Sequence, residues 1–283
     1  MLANDDRSLL TPLAGAVTNE ARGPHVPLMG VAAGMGALAY AGYALPVLAS
    51  ARVRYRSDRA LGLPTGGGRR GRAGECVANA LRRQLGIEDQ TASGVGYALT
   101  FDDGPHAQGT PAALEVLAAA SARATFFLVG EQVLRNPALA GEIVAAGHGV
   151  GLHCHRHRNL LRLTPRQVRE DITRALGAIE DATGRSPTLY RPPYGVPNTA
   201  ALALARRRGW RTLLWSHWGR DWEAHATPES IAALLTGGVG DGAVLLLHDA
   251  DDYGAPSSWR RTVTALPQVL ETLGERGLRP VAP

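Results

Sequence analysis

The sequence predicts an α/β fold in which a parallel sheet, open or closed into a barrel, is wrapped by helices. From residue 95 onward, short apolar runs alternate with segments of helical pattern. The helical segments open on cap pairs such as Thr110-Pro111 and Thr164-Pro165, and the second of these stops at Gly184. Acids, histidines, an arginine and tryptophans gather where the apolar runs end, which is where parallel α/β folds keep their chemistry.

With 283 residues the chain has room for a sizeable core. All 30 basic residues are Arg. Residues 1–72 hold 9 Arg against 4 acids, and the remainder holds 21 Arg against 21 acids, so the net charge of +5 lies in the N-terminal flank. A neutral body speaks against a nucleic-acid partner. Cys76 and Cys154 make no disulfide framework.

Taken in order, residues 1–25 read as a loose tail. Residues 26–50 carry no charge and are rich in Ala, Gly and Leu, long enough to cross a bilayer as a transmembrane or signal-anchor helix. A buried Ala/Gly-rich helix is the alternative. Ala49-Ser50-Ala51 also resembles a signal-peptidase site, which would give a secreted protein. Residues 51–94 read as a basic linker around Gly66–Arg72, flexible or facing anionic lipid, followed by a short helix at Ala78–Leu85. Strands are then expected at 95–99, 124–129, 149–152, 188–191, 212–215 and 243–247. Helices are expected at 110–120, 137–146, 164–183, 199–208, 228–235 and 258–276.

Five groups sit at strand ends. Thr100-Phe101-Asp102-Asp103-Gly104-Pro105 follows the first strand. If the strand continued, its two carboxylates would point to opposite faces, one for a metal and one for protons; a solvated turn is the alternative. His153-Cys154-His155-Arg156-His157 puts His153 and His157 at i and i+4, on one side of a helical turn, with His155 pointing away. With Asp103 they offer one oxygen and two nitrogens and leave a coordination position open. Cys154 reads as a small filler. Arg191-Pro192-Pro193-Tyr194-Gly195 is either a rigid turn or a fork from Arg191 onto Asp102. Trp215, Trp218 and Trp222 form a sugar platform or core packing, and His248-Asp249 ends the last strong strand. In a parallel barrel all five meet at one face.

Thr-Phe-Asp-Asp-Gly-Pro, His-x-x-x-His, Arg-Pro-Pro-Tyr-Gly, Arg-Asp-Trp and Leu-x-His-Asp occur in this order across residues 97–250, and Ala-Thr-Phe-Phe lies at 124–127. Together they resemble the polysaccharide deacetylase family, metal-dependent carbohydrate esterases related to NodB and to chitin and peptidoglycan deacetylases. The resemblance implies a distorted (β/α) barrel of seven strands, with 95–283 as the catalytic domain. It implies Asp102 as general base, Arg191 orienting it, and Asp103, His153 and His157 on a divalent metal, most often zinc, with cobalt or nickel as substitutes. Asp221 would keep His248 protonated as general acid, Trp222 and Leu246 would line a slot for the acetyl methyl, and the Tyr194 N–H would hold the oxyanion. Cys154 stands where the family usually has Ser or Thr, His155 is additional, and Ser216-His217 replace an Asp that often follows the Trp.

The activity expected from that resemblance is removal of N-acetyl groups from N-acetylglucosamine units of a cell-wall polysaccharide or glycoconjugate. An O-acetyl ester, a lipid-linked sugar, or a non-catalytic carbohydrate-binding role are the alternatives. The expected setting is a membrane anchor at 26–50 with the domain outside the cytoplasm, although Arg52, Arg54, Arg56 and Arg59 argue for the cytoplasmic side.

Overall fold

Strands β2 (Tyr97–Asp102) and β8 (Ala243–His248), of six residues each, are the longest in the sheet and pair in parallel from Tyr97↔Ala243 to Asp102↔His248. In this computed structural model, residues 42–44, 46, 80 and 82–283 are described. The other strands are β1 (Ile87–Glu88), β3 (Thr125–Leu128), β4 (Gly149–Leu152), β5 (Leu189–Tyr190), β6 (Arg211–Leu213) and β7 (His217–Trp218). They make one parallel sheet in the order β1-β6-β5-β4-β3-β2-β8-β7. Around it lie α1 (Gly109–Ala119), α2 (Gly130–Arg135), α3 (Pro137–Ala145), α4 (Pro165–Thr183), α5 (Thr199–Arg207), α6 (Pro228–Thr236) and α7 (Ser258–Glu275).

The strand order forces the sheet to curl. β6 and β7 are six positions apart in the row, which in a flat sheet is about 29 Å. The chain joins Leu213 to His217 in four steps, at most about 14 Å. The sheet therefore bends into a half-barrel whose gap is crossed by residues 214–216. On one side of that crossing Leu214 N donates to Glu88 O, and on the other Ser216 N donates to Val244 O.

Eight strands replace the seven expected. The run read as one strand at 212–215 is broken here, pairing with β5 and β1 before the crossing and with β8 after it. β1 comes from the stretch read as linker and short helix; two residues carry no periodicity to detect. The short helix is seen at residues 80 and 82–85.

Strand residues alternate between two cores. Tyr97, Leu99 and Phe101 of β2 and Ala243, Leu245 and Leu247 of β8 face the helices. Ala98 of β2, Phe127 of β3, and Val244 and Leu246 of β8 fill the barrel interior with Leu213, Leu214 and Trp215. The inward rows run on to Asp102 and His248, so the same period of two that builds the inner core aims both side chains into its mouth. Helix α4 is fixed at both ends by a capping box between Thr164 and Gln167 and by Gly184 at φ 65°. Its apolar stripe, Val168, Ile172, Ala175, Leu176 and Ile179, packs into the outer core.

The apolar stretch 26–50 falls outside the described residues except for 42–44 and 46. No helix among the described residues is long and apolar enough to cross a membrane. Tyr43 is 4% exposed. Its hydroxyl donates to Leu163 O at 2.7 Å and accepts from Asn198 Nδ2 at 2.6 Å. A side chain so held lies inside the protein.

Candidate active site

Asp102 ends β2, and Asp103 follows at φ 79°. That left-handed conformation breaks the alternation expected of a continuing strand, so both carboxylates enter the same cleft. His153 Nε2 lies 3.7 Å from Asp102 Oδ2 and 3.6 Å from Asp103 Oδ1. Cys154 (φ 66°), Tyr194 (φ 60°) and Arg220 (φ 51°) take the same unusual conformation beside His153, Arg191 and Asp221. Each costs of order 1–3 kcal/mol, and four of them at strand ends around one cleft mark it as the functional end of the barrel.

Arg191, fully buried, is the structural hinge of the site. Its Nη1 donates to Asp102 Oδ1 at 2.6 Å and to Thr100 Oγ1 at 2.9 Å. The expected fork onto Asp102 is thus a single contact. Nε and Nη2 instead donate to Leu213 O (2.9 Å) and Leu214 O (3.1 Å), carbonyls at the β6 break. The guanidinium lies 3.9 Å above the Phe127 ring. Its own carbonyl accepts from His153 Nδ1 at 2.8 Å, which leaves the His153 Nε2 lone pair facing Asp103.

Asp103, His153 and His157 bring one oxygen and two nitrogens within 4.8 Å of one another. His157 Nε2 is 3.4 Å from Asp103 Oδ1, and that oxygen, buried, has no hydrogen-bond partner among the described residues. Burial pushes the Asp103 carboxyl up to about 6, and burial with nearby His248 pushes His157 down to about 4. Burial also lowers His153. Neutral imidazoles converging on an unsatisfied carboxylate oxygen are the donor set a divalent cation takes, so these residues fit one. A second group, His106 with Asp251 and Asp252, is also close enough. There His106 Nδ1 accepts from Gly109 N at 2.9 Å, so the proton sits on Nε2, which faces Asp251 at 3.4 Å. That nitrogen has no lone pair to give.

Across the cleft, His248 Nδ1 donates to Asp221 Oδ1 at 2.9 Å. Asp221 Oδ2 accepts from His248 N and Thr262 Oγ1, each at 2.7 Å. Burial alone would lower His248, but the Asp221 charge and hydrogen bond outweigh it and raise it to about 10. Its Nε2–H is therefore present at neutral pH, 3.9 Å from Asp103 Oδ2.

Trp222 stands edge-on to His248 at 5.2 Å, and Leu246 lies two residues below His248 on the inward row. The three tryptophans form a ladder, 5.9 Å from Trp215 to Trp218 and 5.2 Å from Trp218 to Trp222. Trp215 belongs to the inner core and Trp218 packs against it, while Trp222 stands at the cleft beside His248. Tyr194 is 52% exposed, with its ring 4.3 Å from that of His157. His155 is buried beside Gly130, behind the loop. Cys154 is buried with its Sγ 3.9 Å from Tyr190 Oη, and burial holds its thiol well above the usual range.

Sequence reasoning missed several residues that hold this site. Asp171 of α4 accepts from His155 N at 2.7 Å and from Arg158 Nη2 at 2.6 Å, pinning the loop between the two histidines. Thr262 supports Asp221, and Asp249 takes a hydrogen bond from Thr110. Burial raises Asp249 to about 7. Only Asp249 had a signal, its place beside His248; the others come from distant elements with no local pattern.

Residues 90–213 match the sequence model of polysaccharide deacetylases. A peptidoglycan-N-acetylglucosamine deacetylase of Bacillus cereus is 35% identical over 184 residues, 64% of this chain and 83% of that one. A chitooligosaccharide deacetylase of Bradyrhizobium sp. is 34% identical over 205 residues, 70% of this chain and 92% of the relative. Among solved structures, a family 4 carbohydrate esterase from Streptomyces lividans in complex with acetate gives a TM-score of 0.60 at 32% identity, covering 66% of this chain and 92% of that one.

Proposed function

We propose, for a chain that belongs to the polysaccharide deacetylase family and is a hydrolase of that class, that the cleft removes N-acetyl groups from N-acetylglucosamine units of a cell-wall glycan. The observation that carries the reading is the unsatisfied Asp103 oxygen faced by two neutral imidazoles, with Asp102 held beside it by Arg191. The glycan unit is the one named for the Bacillus cereus relative, and deacetylation of a glycan is what the names of both relatives share.

A divalent cation on Asp103, His153 and His157, zinc by preference, would supply carbonyl polarisation and a lowered pKa for water. Asp102 takes the proton of the attacking water, and Arg191 with Thr100 fixes the direction of its lone pairs. Tyr194 N–H donates to the developing oxyanion. Trp222 and Leu246 border the acetyl methyl and keep water from its side. His248, protonated through Asp221, gives its Nε2 proton to the departing nitrogen, and the products are acetate and a free amino sugar. The membrane tether belongs to the same proposal, and a reporter fused after Arg72 reports which side of the membrane the domain occupies.

The test is acetate release from N-acetylglucosamine oligomers and from peptidoglycan by the full chain, with zinc, with cobalt or with chelator. Release that needs metal and disappears in Asp102→Asn supports the assignment. Release from O-acetyl esters alone would transfer the activity to ester hydrolysis. Unchanged release in Asp102→Asn would remove that residue from the chemistry.

A further inference from the structure

The two imidazoles on the proposed metal side are held by different means. His153 Nδ1 donates to Arg191 O, the usual outer contact of a ligating histidine. His157 Nδ1 is buried with no hydrogen-bond partner on any other described residue, and only the backbone of His157 itself acts on the ring in that way. Its ring sits instead between two tyrosines, Tyr194 at 4.3 Å and 61°, and Tyr253 at 4.5 Å and 22°.

The two tyrosines are not equivalent. Tyr194 is half exposed and its hydroxyl makes no hydrogen bond among the described residues. The Tyr253 hydroxyl donates to Glu131 Oε1 at 2.7 Å and accepts from Gln132 Nε2 at 3.5 Å. Glu131 and Gln132 lie in α2, whose first turn is fixed to the histidine loop itself. There Gly130 N donates to Cys154 O and Glu131 N to His155 O, both at 2.9 Å. A closed circuit results, running from the loop to α2, through Glu131 to Tyr253, and by ring stacking back to His157.

We infer that Tyr253 is a positioning residue that aims His157 Nε2 at the cation, standing in for the hydrogen bond to another residue that His153 has and His157 lacks. The inference rests on the reading of Asp103, His153 and His157 as a metal site. Tyr253 lies five residues after His248 on the loop that leaves β8, so one loop carries both the proton donor and the brace of a metal ligand.

The experiment measures zinc affinity of the full chain by competition with a chromophoric chelator, and the visible spectrum of the cobalt form. It compares wild type, His157→Ala, Tyr253→Leu and Tyr253→Phe. Tyr253→Leu should lose roughly 10–100-fold in zinc affinity and change the cobalt spectrum. Tyr253→Phe, which keeps the ring without the tether, should recover most of that loss. Wild-type affinity and an unchanged spectrum in Tyr253→Leu, with His157→Ala weakened, would overturn the brace while leaving the metal site standing. Equal zinc binding by wild type and His157→Ala would remove His157 from the metal site and the brace with it.

Discussion

His157 and His248 line the same cleft and differ in charge at neutral pH, the first neutral and the second cationic. Burial lowers both, and with no anion bonded to its ring His157 falls to about 4. His248 has Asp221 on its Nδ1 and rises to about 10. The difference shows that location does not decide protonation here; one bonded carboxylate does. A neutral imidazole is a ligand and a charged one is a proton donor, so the two sides of the cleft are suited to opposite tasks.

The comparison breaks most severely on the neutral side. His157→Ala should lose stoichiometric zinc, and acetate release should fall by more than the roughly 10²–10⁴-fold that a proton-transfer residue contributes. Metal content after dialysis, measured beside activity, checks it. A variant that keeps zinc and activity removes His157 from the site.

On the charged side, His248→Ala should cost roughly 10²–10⁴-fold in kcat with zinc retained. Asp221→Asn tests the cause. A general acid works only while protonated, so activity is lost as pH rises through its pKa. With the Asp221 charge gone, His248 falls from about 10 toward its ordinary value, and the alkaline limb of the rate profile should move down into the neutral range. An alkaline limb that stays put assigns it to another group.

Stability should record the same opposition. In metal-free protein His157 is depressed on folding, so between its ordinary value and about 4 the unfolded chain binds the extra proton and stability falls as pH falls. His248 is raised on folding. Its contribution is complete below its ordinary value and is lost as pH climbs through about 10. Asp103 and Asp249, raised by burial to about 6 and about 7, act against His157 over the acid range, so the histidines are separated by variant: His248→Gln should flatten the alkaline slope of the thermal midpoint and leave the acid slope as it was. Flattening on the acid side instead would show that the two effects were assigned to the wrong groups.

Most of this cleft could be read from sequence because it follows the strand period. Asp102 and His248 continue the inward rows of β2 and β8, and a run of alternating buried residues announces where its end will point. What escaped depends on single backbone angles or on distant chain. The turn that brings the expected ligand Asp103 into the cleft rests on a φ of 79°, the fifth expected strand divides at 214–216 where the curled sheet must be bridged, and Tyr253 and Asp171 act across folds of the chain. Apolar spacing encodes faces, not such junctions. The apolar stretch 26–50 was read as a span from its composition, yet Tyr43 within it has polar partners in the body of the protein, which composition does not register.

Asp171 is the mildest way to sharpen the contrast, because it holds the histidine loop on the neutral side, through two backbone N–H groups and the Arg158 side chain, without touching either imidazole ring. Its Oδ2 accepts from His155 N at 2.7 Å and Arg156 N at 3.4 Å, and its Oδ1 pairs with Arg158. In Asp171→Asn an amide nitrogen replaces one acceptor facing these donors, leaving a buried N–H unsatisfied at a cost of about 1–3 kcal/mol. The loop between His153 and His157 loosens, so zinc affinity should drop by about 10-fold. His248 is held by Asp221 and Thr262 from other elements, so the alkaline limb should not move. Urea unfolding, zinc competition and a rate profile on one preparation separate these effects. A shifted alkaline limb would mean that the loop and the proton donor are coupled, and the two sides of the cleft could no longer be treated as independently set.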